Sequence, residues 1–115
     1  MSPRSPDEPS LPPEVLSAVA ERFKVLGTLS RLKILNALMN APLTVTELAE
    51  ATDLEQSNLS RHLAELERAG CIRREREGRT VRVHVADPSL KVLCEVVCGS
   101  LKAQLEDAQR NFKDV

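Results

Sequence analysis

The chain has 115 residues, of which 42% are hydrophobic, with no Trp or Tyr and a formal net charge of −1. This length suits one domain with a modest aliphatic core, and no apolar run approaches the roughly 20 residues that span a bilayer. Residues 1–13 lack the basic and apolar regions of a signal peptide, so we expect a cytoplasmic protein without membrane contact, whose three Cys are reduced thiols.

The N-terminal part of the sequence predicts a tail followed by two helices. Residues 1–13 contain five Pro and no periodic apolar pattern, which predicts a disordered tail. Apolar residues at helical spacing over 15–26 predict a first helix that stops at Gly27. A second helix is expected to start near Ser30 and to end before Pro42.

Two further helical patterns follow, separated by a short break. Thr46 is the predicted N-cap of a short helix, and residues 52–54 form the turn after it. The next helix is expected to start at residue 55 or 56 and to end at Ala69, before the stop signal Gly70. Its core stripe consists of Leu59, Leu63 and Leu66. Two helices joined by a tight turn, the second with a polar N-terminal face, are typical of a helix-turn-helix.

After this helix the spacing of apolar residues changes from a helical period to the two-residue period of a β-strand. The segment "CIRREREGRTVRVHVAD" predicts a β-hairpin with Glu77-Gly78-Arg79 at its tip. The residues expected to face the core are Val81, Val83 and Val85. From Pro88 a final helix is predicted, and its apolar stripe consists of Leu90, Leu93, Val97, Leu101 and Leu105.

Positive charge is concentrated in the middle of the chain. Residues 61–82 contain seven Arg and four Glu, a local balance of +3 that leaves −4 on the rest of the chain. A basic segment in an otherwise acidic chain is a candidate nucleic-acid footprint, and the alternative is a solvated charged surface.

Three stretches in order resemble one known family. "FKVLGTLSRLKILNAL" (23–38), "TELAEATDLEQSNLSRHLAELERAGCI" (46–72) and "EGRTVRVHV" (77–85) closely resemble the ArsR/SmtB family, and the likeness extends over about residues 14–105. The resemblance implies a mainly α fold with a small β-hairpin wing, a winged helix-turn-helix that forms a homodimer through its first and last helices. Members of this family are repressors that leave DNA when they bind a metal, a metalloid or a reactive sulfur species. We therefore predict one DNA-binding and dimerisation domain over residues 14–110.

The recognition helix and the wing supply the expected contacts with double-stranded DNA. The N-terminal part of the helix can enter a major groove about 12 Å wide, and basic wing residues suit phosphate or minor-groove contact. The candidate DNA-binding residues are Gln56, Ser57, Asn58, Ser60, Arg61, His62, Arg74, Arg76 and Arg79. For His62 a packed, hydrogen-bonded imidazole is an equal alternative to a phosphate contact. A dimer would bind a near-palindromic operator with half-sites about one DNA turn apart, and DNA binding requires no cofactor.

The effector sites best known in the resembling family are absent. The helix before the recognition helix, "VTELAEAT", contains none of the Cys residues of the thiolate site. A zinc-type site on the last helix would need further ligands after Asp87, where Ser89, Ser100 and Ala103 stand instead. In the persulfide-sensing pattern Cys98 matches one cysteine, but Asn36 occupies the position of the other.

Cys94 and Cys98 remain as the candidate sensor, with Cys71 as a candidate third ligand or a core residue. Residues at i and i+4 are neighbours on a helix, so two thiolates suit one soft ion, whereas a disulfide between them would be strained. The expected effectors are, in order, As(III) or Sb(III), a persulfide or oxidant, and a soft divalent ion such as Cd(II), Zn(II) or Hg(II). Alternatively, both thiols are buried structural residues.

Two other functional classes fit the sequence less well. A winged-helix module that binds only protein, with structural cysteines, is the alternative to a DNA-binding repressor. An enzyme is not expected, because two isolated His, scattered carboxylates and no Gly-rich loop give neither a general acid-base pair nor an activated nucleophile.

Overall fold

The computed structural model describes residues 11–113, and side chains as far as residue 111. The predicted disordered tail therefore lies mostly outside the described residues. Helix α1 spans Pro13–Leu26 and begins directly after Pro12, where the fixed φ of proline suits a first helical turn. It stops before Gly27, as the sequence predicts.

Helix α2 spans Leu29–Ala37, one residue earlier than expected, because Thr28 acts as its N-cap. The Thr28 hydroxyl accepts a hydrogen bond from the backbone N–H of Arg31 at 3.2 Å. A two-residue strand β1, Leu43–Thr44, comes next, and no sequence pattern indicates it.

Helix α3 spans Val45–Thr52 and starts at Thr44, so the prediction that Thr46 caps this helix is wrong. The Thr44 hydroxyl accepts from the backbone N–H of Glu47 at 3.1 Å, and the Glu47 carboxylate accepts from the N–H of Thr44 at 2.9 Å. This reciprocal pair is a capping box, which satisfies two N–H groups at the helix start.

Helix α4 spans Gln56–Arg68 and completes the helix-turn-helix that the sequence predicts. In the turn before it, Asp53 adopts left-handed backbone geometry with φ 57°. At its end Gly70 has φ 80° and donates its N–H to Glu67 O, while the N–H of Cys71 donates to Leu66 O at 2.9 Å. These two bonds form a Schellman motif and account for the stop at this glycine.

The wing consists of strands β2, Ile72–Glu77, and β3, Thr80–Val85. They pair antiparallel around Gly78-Arg79, and β1 joins the other edge of β3 to give the sheet order β1-β3-β2. Of the three valines predicted to face the core, only Val83 is fully buried, whereas its two neighbours on that face are half-buried.

The last helical segment is interrupted by a wide turn. Helix α5 spans Ser89–Leu93, a π-helical turn spans Cys94–Cys98, and helix α6 spans Gly99–Lys113. Backbone angles on both sides of the π-turn are right-handed helical, so the chain continues through it without a break. The sequence predicts one uniform helix from Pro88 and gives no sign of this turn. A π-turn of this kind is uncommon and often coincides with a functional site.

The core lies between α2, α3, α4 and the wing. Its fully buried side chains are Ile34, Leu38, Leu48, Leu59, Leu63, Leu66, Cys71 and Val83. The apolar stripes of the first and last helices are not buried like this core, since Phe23 is 54% exposed, Leu101 52% and Leu105 65%. The single chain thus leaves uncovered an apolar face that the sequence assigns to buried stripes. In the part of the chain that the structure describes, no helix is long and apolar enough to cross a membrane.

Candidate nucleic-acid interface and cysteine site

The N-terminal half of α4 presents polar side chains to solvent. Ser57, Ser60 and Arg61 are exposed, while Asn58 is half-buried and accepts a hydrogen bond from Arg61 Nη2 at 2.9 Å. Gln56 is exposed at the first position of the helix. This surface combines a guanidinium with amide and hydroxyl groups, which are the groups that contact base edges and phosphates.

His62 lies on the same helix but is turned towards α2. Its Nδ1 accepts a hydrogen bond from Arg31 Nε at 3.2 Å, and Arg31 Nη1 donates to the carbonyl of Val25 at 3.0 Å. Burial, together with the charges of Arg31 and Arg61, lowers the pKa of His62 from its ordinary value. The imidazole is therefore neutral near pH 7, and it connects the recognition helix to the start of α2.

Most of the wing arginines form ion pairs. Arg74 reaches back to α4, where its Nη2 and Nε donate to Glu67 Oε1 at 2.8 and 3.1 Å. Further along the hairpin, Arg73 pairs with Glu75 and Arg82 with Glu77, each at 3.0 Å. The Arg74–Glu67 pair joins the wing to the recognition helix, and no sequence signal at a spacing of seven residues indicates it.

Arg76 and Arg79 differ from these paired arginines. Both are exposed near the tip of the hairpin, and neither forms an ion pair with any residue that the structure describes. Two uncompensated guanidinium groups at the end of a projecting hairpin are suited to contact phosphate groups.

The structure brings Cys94 and Cys98 together on the π-turn, with their Sγ atoms 3.5 Å apart. Cys94 is half-buried and Cys98 is exposed. Burial, followed by the hydrogen bond and the charge of Cys98, raises the pKa of Cys94, so this thiol is protonated near neutral pH. One atom of a thiophilic element can contact both sulfurs without a large movement of either side chain.

The two thiols form part of the wall of an apolar cavity of about 240 Å³. The cavity lies between the end of α1, helix α2 and the last helical segment. Its remaining walls are almost entirely hydrocarbon, from Phe23, Leu32, Leu35, Leu93, Val97 and Leu101 among others.

Cys71 is not part of this site. It is fully buried in the core after α4, where burial raises the pKa of its thiol, and it does not line the cavity. Among the described residues, no three His, Cys, Asp or Glu side chains group together as metal ligands. The structure therefore brings two of the three cysteines together and leaves the third apart.

A contact that the sequence did not indicate joins three distant segments. Arg22 Nη1 donates to Asp87 Oδ2 at 2.8 Å, and Nη2 donates to the carbonyl of Ala69 at 2.8 Å. Asp87 in turn accepts from the N–H and hydroxyl of Ser89, and these bonds lower the pKa of its carboxyl group. The Arg22 guanidinium thus connects α1, the end of the recognition helix and the start of α5.

Comparisons with known proteins agree with this architecture. The family model described as "Bacterial regulatory protein, arsR family" matches residues 29–74. The HTH-type transcriptional regulator NmtR of Mycobacterium tuberculosis is 38% identical over 91 residues, which cover 77% of this chain and 76% of that protein. The HTH-type transcriptional repressor SmtB of the same species is 36% identical over 104 residues, covering 90% and 75%.

A solved structure shows the same fold. The homodimeric winged helix-turn-helix DNA-binding domain of Mb0332 from Mycobacterium bovis has a TM-score of 0.73 and 28% identity, and the match covers 82% of this chain and 87% of that one. The fold predicted from the sequence, a mainly α winged helix-turn-helix with a small hairpin, is thereby confirmed. The matching relatives are regulators and not enzymes. The chain belongs to the ArsR/SmtB family of transcriptional regulators.

Proposed function

We propose that this protein is a dimeric DNA-binding repressor that leaves its operator when a thiol-reactive effector binds Cys94 and Cys98. The DNA-binding part of this proposal rests on one observation, the exposure of two groups of side chains that can contact DNA. Arg61 and its polar neighbours lie at the N-terminal end of α4, and the unpaired Arg76 and Arg79 lie at the end of the wing. The SmtB relative carries the name repressor, which supports the same direction of control.

In this proposal each group has a separate role on DNA. Gln56, Ser57, Asn58, Ser60 and Arg61 contact base edges and nearby phosphates in the major groove. Arg76 and Arg79 contact phosphates or the minor groove beside it. Arg74 and His62 act mainly through the protein, because the first holds the wing against Glu67 and the second is bonded to Arg31.

The exposed apolar face supports a homodimer through the first and last helices. Phe23 on α1 and Leu101 and Leu105 on α6 are all more than half exposed in the single chain. Covering such surface is favourable by about 25 cal/mol per Å². The solved Mb0332 domain is described as homodimeric. Two recognition helices related by a twofold axis match a near-palindromic operator with half-sites about one turn apart.

The cysteine pair supports a thiophilic effector, with As(III) or Sb(III) as the first choice. A sulfur–sulfur distance of 3.5 Å allows one soft atom to bind both thiols. A persulfide or oxidant is the second choice, and a soft divalent ion such as Cd(II), Zn(II) or Hg(II) is the third. Binding would favour a dimer geometry that no longer matches two major grooves, with a coupling on the order of 1–3 kcal/mol.

DNA binding is tested with arginine variants at one fixed salt concentration. Fluorescence anisotropy on the upstream DNA of the protein's own gene should show that Arg61→Ala with Arg79→Ala weakens binding at least tenfold, because both groups contact DNA. Arg110→Ala, on the exposed part of α6, is the matched control and should bind as the wild type does. Absence of DNA binding in the wild type would favour the protein-interaction alternative.

Effector response is tested on the same DNA complex. Arsenite, then Cd(II), then a persulfide donor are titrated into the reduced wild type and a Cys94→Ser/Cys98→Ser variant. Release of DNA from the wild type alone supports the proposed switch and identifies the effector class. Cys71→Ala, which alters the core cysteine, should still respond. An equal response of wild type and double variant would show that Cys94 and Cys98 do not sense the effector.

A further inference from the structure

An open cleft of about 350 Å³ lies between helix α1 and the C-terminal half of the recognition helix. Residues of both helices line it, among them Ala18, Arg22, Val25, Glu65, Arg68 and Ala69. None of its lining residues belongs to the apolar face of Phe23, Leu101 and Leu105 that the proposed dimer covers. Because the cleft is open, the two helices do not pack directly against each other along it.

Arg22 spans this cleft with two hydrogen bonds of its guanidinium group. Nη2 donates to the carbonyl of Ala69 at the C-terminal end of α4, and Nη1 donates to Asp87 Oδ2 just before α5, each at 2.8 Å. Among the described residues, no other side chain of α1 forms a hydrogen bond with either segment. A planar guanidinium holds two acceptors in fixed directions, so this contact can orient α4 as well as attach it.

The contact lies at the end of α4 that is far from the residues proposed to contact bases. Those residues lie at the N-terminal end, and a helix of 13 residues is about 20 Å long. A tilt of about 10° around the Ala69 end would move the other end by roughly 3.4 Å, which is the rise of one base pair. A small change of angle at Arg22 is therefore enough to change which bases the recognition helix can reach.

We propose that Arg22 is a positioning residue that sets the tilt of the recognition helix against α1 and thereby selects the spacing of the operator half-sites. In the proposed dimer, α1 contacts the partner chain, so Arg22 joins a helix of the dimer contact to the helix that enters the major groove. The two recognition helices of such a dimer must lie about one DNA turn apart. This inference rests on the proposed function, since it requires a dimer on DNA.

The same contact contributes little to the stability of the single chain. The side chains of Arg22 and Asp87 are 32% and 31% exposed, so solvent screens their attraction. The buried side chains of Leu59, Leu63 and Leu66 hold α4 in the fold independently of it. Loss of the guanidinium group should therefore leave a folded chain whose recognition helix can tilt.

The first experiment measures DNA affinity as a function of half-site spacing. The full-length wild type, Arg22→Ala and Arg68→Ala are titrated by fluorescence anisotropy onto the operator from the protein's own upstream DNA. The same titrations use copies with one or two base pairs inserted or removed between the half-sites. Arg68→Ala is the matched control, because Arg68 lines the same cleft but pairs with Glu65 of its own helix at 2.9 Å. Thermal unfolding checks that each variant is folded.

We expect the wild type and Arg68→Ala to lose about tenfold or more in affinity when the spacing changes by one base pair. Arg22→Ala should lose about threefold or less, because its recognition helices can tilt towards displaced half-sites. An equal loss of affinity at every spacing in Arg22→Ala, or an unchanged spacing profile, would overturn the inference. If Arg22→Ala does not fold, Arg22→Lys takes its place, since lysine keeps the charge but lacks the planar fork, and the same outcomes decide.

A second measurement reports the helix angle without DNA. Spin labels on unnatural side chains at Ser17 of α1 and Ser57 of α4, both exposed, give the distance between the two helices by pulsed electron paramagnetic resonance. Labelled chains are diluted with unlabelled protein, so that only distances within one chain are measured. Arg22→Ala should broaden or shift the distance distribution, whereas Arg68→Ala should leave it as in the wild type. An unchanged distribution in Arg22→Ala would contradict a positioning role.

The two measurements separate this inference from the proposed function. If the wild type binds DNA but Arg22→Ala keeps the wild-type spacing profile, the repressor proposal stands and the role of Arg22 is wrong. If the wild type binds DNA at no spacing, the repressor proposal fails together with the selection of half-site spacing. The spin-label distances then still decide whether Arg22 positions α4 against α1.

Discussion

Arg31 and His62 show how one pair of side chains can make the recognition helix sensitive to pH. The pKa of His62 lies below its ordinary value of 6.5, first because of burial and then because of the charges of Arg31 and Arg61. As the pH falls, the unfolded chain therefore takes up this proton before the folded chain does. The contribution of His62 to the free energy of unfolding is fully present above pH 6.5 and is lost as the pH falls through the folded pKa.

We therefore expect the wild type to be less stable at pH 5.5 than at pH 7.5, and His62→Gln to lose part of that difference. Glutamine keeps a hydrogen-bonding side chain near Arg31 but does not titrate. Urea unfolding of both proteins at the two pH values measures the effect. An unchanged difference between the two pH values in His62→Gln would contradict a role for this imidazole.

Replacement by alanine should change the stability of the protein in opposite directions at two glycines. Gly70 has φ 80° in the Schellman motif, so Gly70→Ala forces a side chain into left-handed geometry and should cost about 1 kcal/mol or more. Gly99 lies in right-handed helical geometry with no atom near an added Cβ, so Gly99→Ala should stabilise by roughly 0.5–1 kcal/mol. Thermal or urea unfolding checks both signs.

At the scale of elements, two substitutions at the start of α3 test which threonine is its N-cap. Thr44→Ala removes the hydroxyl that accepts from Glu47 N–H and should lower the free energy of unfolding by about 1 kcal/mol. Thr46→Ala is the matched control and should change stability by less than about 0.5 kcal/mol, because Thr46 is not the cap. Similar losses in the two variants would show that the capping box contributes little.

The sequence predicts the elements that have a repeated pattern or a strong stop signal. The recognition helix ends where Gly70 indicates, and the hairpin turns at Gly78, because each position requires a backbone conformation that glycine adopts easily. Strand β1 has only two residues, too few to show a period. The π-turn at Cys94–Cys98 is a local change of hydrogen-bond partner, which no residue type specifies.

The candidate site, like the fold, is predictable from the sequence only in part. The sequence identifies the polar face of α4, the arginines of the wing and the spaced cysteines, because each follows from chain-local spacing. It does not indicate that Glu67 engages Arg74 or that Arg22 engages Asp87, since those partners meet only when separate elements pack. The apolar cavity beside the thiols also depends on three segments that are distant in the sequence.

At the scale of the whole molecule, the exposed apolar face predicts where two chains meet in the dimer. Leu101→Glu places a charge in the proposed dimer contact and should raise the dimer dissociation constant at least tenfold, with a matching loss of DNA affinity. Ala103→Glu adds the same charge on the opposite side of α6 and serves as the control. Analytical ultracentrifugation measures assembly, and a dimer that tolerates Leu101→Glu would place the interface elsewhere.

The π-turn also has a consequence for how this chain diverges from its relatives. A π-turn takes up about one residue more than an α-helical turn, so each residue after it faces about 100° away from the direction that uninterrupted α-helical spacing would give it. Because the extra residue is absorbed within Cys94–Cys98, a lineage can gain or lose it while the flanking helices keep their positions. Relatives whose last helix is α-helical throughout should therefore align with this chain through a one-residue gap there. Such a gap would mark the point at which the cysteine contact was acquired or lost during evolution.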